Sequence, residues 1–522
     1  MNEESIEASK APLIDHFIEL RTRILRSIFI LSVTFIFAFI FSENIYLFLV
    51  NPYEEIMGSN SQMIYTAPQE FLMVKLKIAL FGGLLITFPY FCLEIYSFIS
   101  PGLYKKEKIA MAPYFIFSPI LFLLVKSFNQ DTESLQYLFK NLLLDYSINT
   151  IYLVLITSFF SLVIGVIPAW YVSNYQFEGR RIVDLILYLP LAIPTYIMAF
   201  TYSELLSFTG PFKITYDFLQ IEILGILLAF SLYPYIYSVS RISFSLFGSR
   251  YYDMAKNLGL NAYQTFLKVV LPLSRPAILS GLFLVVMEVL NEYGAVKYFG
   301  VNTYTIGIFR SWNSMNDSGA AIQLSSILLF IVAFLFFVEK YFNQNKRFSF
   351  SKNTQLASLI KPNNSVKFLI YLICLIPIIL AFLIPVLFNF INIFSSYDDI
   401  NFERLLNLTF NSFSVSLIAS ILILIVSTFF LYNEKISKSK VYYYINQFIS
   451  LGYSIPGAVV ALAVIISVTS LDNLDDNIKL LGSFSVYFLI LVYAYIIRFM
   501  AVGKSPIKSS MEKYPDSYNN SA

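Results

Sequence analysis

The chain has 522 residues, of which 57% are hydrophobic and 13% are charged, and its net charge at pH 7 is +3. Its mean hydropathy of +0.68 lies far outside the range of soluble globular proteins and excludes that class. The small net charge is spread over many loops, so it gives no indication of nucleic-acid binding.

Apolar runs that are long enough to cross a lipid bilayer recur along the whole chain. A transmembrane helix needs about 20 mostly apolar residues. The sequence therefore predicts an all-α, polytopic membrane protein with about twelve transmembrane helices. The twelve runs lie near residues 25–43, 73–98, 110–126, 147–173, 182–206, 221–242, 277–295, 321–342, 367–393, 408–432, 442–469 and 479–500.

Basic residues cluster in alternate loops between these runs, for example at Lys105 and Lys106, at Arg180 and Arg181, and at Lys435. The intervening loops are mostly neutral or acidic. Lys and Arg are enriched in cytoplasmic loops of membrane proteins. With twelve spans, the alternation predicts that both termini lie in the cytoplasm.

The first 125 residues differ in character from the rest of the chain. Three motifs occur there in order: APLIDHFIELRTR at 11–23, TAPQEF at 66–71 and SPGLYKKE at 100–107. This succession over residues 1–125 resembles TatC, the multi-span receptor of the twin-arginine protein translocase, through the third of the six spans in that family.

The resemblance to TatC implies roles for two carboxylates and for partner proteins. Glu19 and Glu107 occupy the positions that would pair with the two guanidinium groups of a twin-arginine signal peptide. TatA- and TatB-like subunits would then be partners. The alternative is that both are ordinary surface carboxylates close to Arg21 and Lys105.

From about residue 113 onward, a second series of motifs appears. The motifs are AWYV at 169–172, FEGRR at 177–181, LPLAIP at 189–194, MEVLNEYGA at 287–295, YFGV at 298–301 and IFRSW at 308–312. They resemble the membrane subunit of ferric-iron-type ABC importers. The resemblance implies a first permease repeat at 113–345, a cytoplasmic linker at 346–366 and a second repeat at 367–522. This second repeat is expected to be incomplete, because the chain reaches only the opening of a second coupling loop.

A charged loop at residues 248–276 separates two of the apolar runs. It contains Asp253-Met254-Ala255, then Gly259, then Leu271-Pro272, and this spacing resembles the EAA loop of ABC importer permeases. In that family the loop forms a short helix–turn–helix that sits in a groove of a cytoplasmic ABC ATPase dimer. Its positive charges alone have a second explanation, since cytoplasmic loops are generally basic.

The sequence contains no Gly-rich phosphate-binding loop of the Walker type. We therefore expect that this chain binds no cofactor, that a partner subunit hydrolyses ATP, and that the chain itself is not an enzyme. A periplasmic substrate-binding protein is an expected partner, because nothing in the sequence resembles a high-affinity capture site.

Two carboxylates, Glu288 and Glu292, lie four residues apart in an otherwise apolar run. The spacing puts them on one helix face, and intramembrane carboxylates usually face a bundle interior or an aqueous cavity. One interpretation is that they line the substrate path, since hard cations favour oxygen ligands. The alternative is pairing with Arg310, Lys297 or nearby backbone groups. Whether the chain holds a metal stays open.

An internal repeat relates the two permease parts. Pro194 follows Asn149 after 45 residues, and Pro456 follows Asn411 after the same interval. A proline removes a helix hydrogen bond, so Pro194 and Pro456 are candidate hinges for alternating access. The alternative is a passive kink in a packed bundle.

The predicted function is that of a permease subunit of a binding-protein-dependent ABC importer in the bacterial cytoplasmic membrane. Ferric iron rests on the resemblance alone, and thiamine, sulfate and polyamine importers use related permeases. A second hypothesis is a TatC-like translocation receptor. Residues 118–124 fit a span of both families, so a third is a fusion of the two proteins, either real or produced by misassembly of the sequence.

Overall fold

The computed structural model describes residues 13–43, 74–80, 83, 87, 118–128, 133–208, 210–211, 213, 218–344, 359–395, 401–437, 452–472 and 484–511. Within these residues the regular elements are helices, and the β pairing is confined to an isolated parallel bridge between Tyr175 and Ile360. The helices are α1 (Leu13–Ile40), α2 (Ser118–Ser127), α3 (Glu133–Asn141), α4 (Leu143–Asn174), α5 (Arg180–Ile186), α6 (Thr195–Leu206), α7 (Ile221–Asn257), α8 (Ala262–Thr265), α9 (Leu271–Asn291), α10 (Gly294–Phe299), α11 (Tyr304–Phe309), α12 (Ser318–Gln344), α13 (Asn364–Ile378), α14 (Ile384–Ser395), α15 (Phe402–Ser437), α16 (Gly457–Asp472) and α17 (Phe484–Met511).

Eight stretches of helix among the described residues are long and apolar enough to cross a membrane, or nine if a bent pair of helices counts as one span. The prediction of an all-helical, multi-pass protein is thereby confirmed. Twelve spans and the cytoplasmic position of both termini stay predictions. The predicted run at 73–98 lies largely outside the described residues, and the runs at 110–126 and 442–469 do so in part.

The part of the chain predicted to be the first repeat, called the first half below, is a close-packed bundle in which α4 lies along α7 and α9 lies against both. Small residues allow the helices to approach, as is common between membrane helices. A Cβ atom on Gly165 of α4 would lie 3.0 Å from the carbonyl oxygen of Tyr233 on α7, and one on Gly281 of α9 would lie 2.9 Å from the Cα of Ile236. The crossings of α7 therefore depend on glycine in both neighbours.

The second half repeats the order of elements seen in the first. In the first half, α4 is followed by a 3₁₀ turn at Leu189–Ala192, a helix that begins after a proline, and the long helix α7. In the second half, α15 is followed by a 3₁₀ turn at Gly452–Ser454, then α16 and α17. The two long helices of each half, α4 with α7 and α15 with α17, pack against each other.

The helix that opens each half packs on the other half. Helix α2 contributes Ile120 and Leu123 to a core that includes α16 and α17, and Lys126 Nζ donates to Ser470 Oγ (2.8 Å). Helix α13 packs against α4 and α5, and its Ile370 and Cys374 lie in the core of the first half. This exchange of opening helices links the two halves and makes α2 an integral part of the bundle.

Helix α1, in the TatC-like segment, shows a different environment. Its large apolar side chains are mostly exposed, with Phe29 at 69% and Ile40 at 68%. A polar contact on this helix joins Thr34 Oγ1 to Thr87 Oγ1 (2.7 Å) and to the carbonyl of Gly83 (3.1 Å). An apolar helix surface of this kind suits contact with lipid or with further spans.

Candidate functional site

Helix α7 has 37 residues, which corresponds to a length of about 55 Å and exceeds the roughly 30 Å hydrocarbon core of a bilayer. Its candidate membrane span, judged by length and composition, is Ile221–Ser245. The last turns, which contain Asp253, Met254 and Ala255, therefore project beyond the span. These three residues of the predicted coupling motif lie on helix, not in an irregular loop.

Gly259 turns the chain immediately after α7. Its φ is +80°, a conformation that favours glycine. The N–H of Leu260 donates to the carbonyl of Ala255 (3.0 Å), and the N–H of Leu258 donates to that of Met254 (3.1 Å). The bond from Leu260 closes the helix end as in a Schellman motif, in which the left-handed residue is usually glycine.

The second arm of the turn begins with reciprocal capping. Asn261 Oδ1 accepts from the N–H of Gln264 (2.8 Å), and Gln264 Oε1 accepts from the N–H of Asn261 (3.2 Å). This capping box fixes the start of a helix. The helix then continues without a break from Tyr263 to Asn291.

A π-helical turn at Phe266–Val270 precedes Leu271 and Pro272, which lie in the first turn of α9. Leu271 N–H donates to the carbonyl of Phe266, five residues back. The family pattern implied a separate short helix for this arm. In the structure the arm is instead the start of the candidate span Tyr263–Asn291. The shifted hydrogen bonding accommodates Pro272, which has no N–H to donate.

We call Met254, Leu258 and Tyr263 the coupling tip. Their exposed fractions are 59%, 81% and 70%, so an apolar surface projects from the bundle, as is typical of protein interaction sites. Behind the tip, the ring of Phe266 packs 4.9 Å from that of Trp170. The helix that carries Tyr263 is thereby packed against the bundle through aromatic side chains.

The two intramembrane carboxylates have donors close by. Glu288 Oε1 accepts from the hydroxyl of Tyr453 (2.7 Å), which belongs to the second half. Glu292 Oε2 accepts from Thr195 Oγ1 (2.7 Å), and its Oε1 accepts from the N–H of Ala295 (3.0 Å). The backbone contact of Glu292 is of the kind that the alternative interpretation expected.

The predicted basic partners of these carboxylates lie elsewhere. Arg310 Nη2 donates to Asn302 Oδ1 (3.0 Å), and Lys297 Nζ stands over the ring of Tyr293. Among the described residues, no three His, Cys, Asp or Glu side chains form a group suited to a metal ion. The geometry thus gives Glu288 and Glu292 structural contacts between helices.

The two candidate hinge prolines each precede a helix. Pro194 is the N-cap of α6, and Pro456 stands directly before α16. In the first half the chain bends by 90° between Arg180–Ala192 and Thr195–Leu206. The sequence suggested that each proline loosens a continuous helix from within. In the structure each proline instead stands ahead of a helix, because the residue before a proline favours extended backbone and ends the preceding turn.

One end of α9 contacts both proline turns. Glu292 accepts from Thr195, which follows Pro194, while Asn291 Oδ1 accepts from the N–H of Gly457 (3.0 Å), which follows Pro456. Asn291 was missed by sequence reasoning, although a polar residue beside Glu292 in an apolar run is a usable signal. Tyr453 was missed because its partner lies 165 residues away.

Arg498 of α17 is a further polar group, partly buried, that sequence reasoning missed. Its Nη1 would lie 2.1 Å from a Cβ atom on Gly457, and its Nε has no hydrogen-bond partner among the described residues. Glycine at 457 therefore makes room for this guanidinium beside the second proline turn.

The predicted signal-peptide contacts are only partly placed. Glu19 lies on α1, but its side chain is outside the part of the chain whose side chains are described, as is that of Asp253. Glu107 lies outside the described residues altogether. The structure consequently does not bring Glu19 and Glu107 together or separate them.

Two family models match the chain. Residues 15–167 match the Sec-independent protein translocase protein (TatC), and residues 161–348 match the binding-protein-dependent transport system inner membrane component. Both describe components of membrane transport systems and neither describes an enzyme. The two resemblances inferred from the motifs are thereby confirmed.

Individual relatives give the same division. The TatC protein of Magnetococcus marinus is 42% identical over 113 residues, which are 22% of this chain and 42% of that protein. The sulfate transport system permease protein CysT of Escherichia coli is 32% identical over 156 residues, which are 28% of this chain and 55% of that protein. The Fe(3+)-transport system permease protein FbpB 2 of Haemophilus influenzae is 24% identical over 392 residues, 74% of each chain.

The chain spans about half the length of the first two of these relatives. The matches nevertheless agree with the helical spans in assigning the chain to the membrane. The chain is a multi-pass inner-membrane protein in which a segment that matches TatC precedes a segment that matches the binding-protein-dependent transport system inner membrane component.

Proposed function

We propose that the chain is the permease subunit of a binding-protein-dependent ABC importer, driven by a separate cytoplasmic ATPase dimer. The observation that carries the proposal is the coupling tip, an exposed apolar turn closed by Gly259 and mounted on two membrane helices. A partner that binds this tip can transmit motion along α7 and α9, which continue directly from it. A periplasmic binding protein would deliver the substrate at the opposite face.

The test uses the conformation of Gly259. A β-branched residue is strongly disfavoured at positive φ, whereas asparagine tolerates it. We expect Gly259→Val to abolish co-purification of the ATPase subunit and substrate-stimulated ATP hydrolysis, and Gly259→Asn to retain most of both. Membrane insertion should be unchanged in either variant.

Gly300 provides a matched control for this test. It also has positive φ (+69°), and a Cβ atom there would likewise meet nothing within 4 Å, but it lies beyond the other end of α9. Gly300→Val should keep ATPase binding. Equal loss of ATPase binding in both valine variants would contradict the proposal, since it would trace the defect to general backbone strain.

For the substrate, we infer ferric iron, supported by the length of the match to the ferric-iron permease. The sulfate permeases match a shorter stretch at higher identity. Uptake of radiolabelled ferric iron and of radiolabelled sulfate should therefore be compared in cells that lack their own importers. Uptake of sulfate alone would contradict the iron assignment and leave the importer proposal intact.

A second candidate function is reception of twin-arginine signal peptides by the N-terminal segment. The match of residues 15–167 to TatC favours it. A photo-crosslinkable twin-arginine peptide should label the segment, and Glu19→Gln should reduce that labelling. Labelling that is the same for a twin-lysine peptide would contradict this function.

A further inference from the structure

Three arginines gather where α4, α5 and α7 meet, at the face predicted to be cytoplasmic. Arg180 and Arg181 open α5, and Arg241 lies on α7. Arg180 is within electrostatic reach of both Arg241 and Asp184. We call Arg180, Arg181 and Arg241 the arginine cluster.

The carboxylate in this cluster is already engaged. Asp184 Oδ2 accepts from Arg241 Nη2 (2.5 Å), and its Oδ1 accepts from the hydroxyl of Tyr237 (2.7 Å). The nearby Glu178 pairs with Lys367 at 2.9 Å. Among the described residues, Arg180 and Arg181 thus form no ion pair, so the cluster carries excess positive charge.

Not every N–H donor of these guanidinium groups has an acceptor among the described residues. Arg180 Nε donates to the carbonyl of Val172 (2.6 Å). Arg241 Nε is buried and has no hydrogen-bond partner in the described part of the chain. A buried donor without an acceptor is unfavourable, and planar guanidinium groups match the oxygens of a phosphate.

Apolar side chains lie beside these charges. Ile182 and Leu185 of α5 are both 65% exposed, and the segment that begins at Arg180 lies at 90° to α6. If α6 lies along the bilayer normal, α5 runs along the membrane surface, with a charged side and an apolar side as in interfacial helices. A small soluble anion would use only the charged side.

We propose that the arginine cluster binds the phosphate group of an anionic phospholipid, whose acyl chains lie along Ile182 and Leu185. Anionic lipids are concentrated in the cytoplasmic leaflet and attract basic residues there. The second half has no such cluster at the equivalent positions, where Tyr442, Tyr443 and Gly503 replace Arg180, Arg181 and Arg241. The site is therefore specific to the first half.

The test compares the full chain in nanodiscs of phosphatidylcholine with the full chain in nanodiscs that also contain phosphatidylglycerol. Lipid retained on the protein is counted by native mass spectrometry, and the unfolding temperature is measured in parallel. We expect retained phosphatidylglycerol and a higher unfolding temperature in the mixed discs. The double variant Arg180→Gln/Arg181→Gln should bind this lipid about 25-fold more weakly, because each basic residue at a charged surface contributes about fivefold.

Two comparisons make the test decisive. Arg21→Gln/Arg26→Gln removes two exposed arginines from α1 and should leave lipid retention unchanged; an equal loss there would overturn the proposal in favour of general surface charge. The single variant Arg181→Gln changes an exposed residue and keeps the test valid if the double variant unfolds. Inorganic phosphate that stabilises the protein equally in phosphatidylcholine discs would overturn the assignment to a lipid.

Discussion

The two pairs of long helices, α4 with α7 in the first half and α15 with α17 in the second, occupy equivalent places in the order of elements but have different surroundings. In the most apolar window of α7, 67% of the residues are buried, against 24% in that of α17. Leu227 of α7 is 5% exposed, whereas Leu489 at the equivalent position of α17 is 38% exposed. Hydrophobicity of a helix in a membrane therefore does not determine whether protein or lipid covers it.

The helices that pack over α4 and α7 explain the difference in burial. Ser147 on α4 shares a hydrogen bond of 2.7 Å with Tyr304 Oη, and a Cβ atom on Gly307 would lie 2.7 Å from Tyr146. Helix α11 thus covers α4 closely. At the position equivalent to Tyr146, Leu408 of α15 is 58% exposed. Helices α9 to α12 surround α4 with protein. Among the described residues, no comparable set of helices surrounds α15.

The largest expected effect comes from a substitution that creates a cavity in the pair α4 and α7. Leu227→Ala should lower the free energy of unfolding by ~2–5 kcal/mol, because packed neighbours surround the removed atoms. The matched variant Leu489→Ala should change it by no more than about 0.5 kcal/mol, as for other substitutions outside a core. Thermal unfolding in nanodiscs measures both. Equal losses would show that α17 is as tightly packed as α7.

A middle-sized effect concerns the links between α9 and the proline turns. Glu292→Ala leaves Thr195 Oγ1 and the N–H of Ala295 without their acceptor and should cost about 1–3 kcal/mol. Glu292→Gln keeps an acceptor oxygen and should recover part of that loss.

The second proline turn provides the comparison for Glu292. Asn291→Ala removes the acceptor of the Gly457 N–H and should cost about 0.5–1.5 kcal/mol, the usual net contribution of one hydrogen bond. Chemical denaturation in detergent measures both losses. A larger loss for Asn291→Ala than for Glu292→Ala would mean that the second turn is the more strongly held.

The smallest effect concerns the opening helices, each of which carries a lysine contact to the other half. Lys367→Met removes the ion pair with Glu178 and should lower the unfolding temperature only slightly, because exposed ion pairs contribute little and are screened by salt. Lys126→Met removes the contact with Ser470. The Lys367 effect should vanish at high salt while the Lys126 effect persists; salt dependence in both would indicate that both contacts are purely electrostatic.

The sequence predicted the long helices well but not the points where they break. The apolar run at 147–173 corresponds to α4 (Leu143–Asn174), because a single helix carries the whole run. The run at 182–206 divides at a 90° bend before Thr195, which a sum of hydropathies cannot detect. The run at 277–295 begins later than its helix, which extends as one apolar candidate span from Tyr263 to Asn291.

The candidate site was predictable in its residues and not in its contacts. The four-residue spacing predicted Glu288 and Glu292 on one helix face, but α9 ends at Asn291 and Glu292 is its C-cap with extended backbone. The spacing also could not identify Tyr453 or Thr195 as their donors, because those lie far away in sequence. The motif around Gly259 located the turn because a positive φ restricts the residue type. Exposure of Leu258 and Tyr263 depends on tertiary packing, which the local sequence does not encode.

The exchange of opening helices has a consequence for biosynthesis. Lys126 and Ser470 are 344 residues apart, so at typical translation rates α2 emerges roughly 17–70 s before the helix that it contacts. During that interval the surface of α2 that later joins the core has no partner from the second half. Helix α2 therefore lacks its second-half contacts while the rest of the chain is made, and assembly of the bundle completes only when α16 and α17 are synthesised.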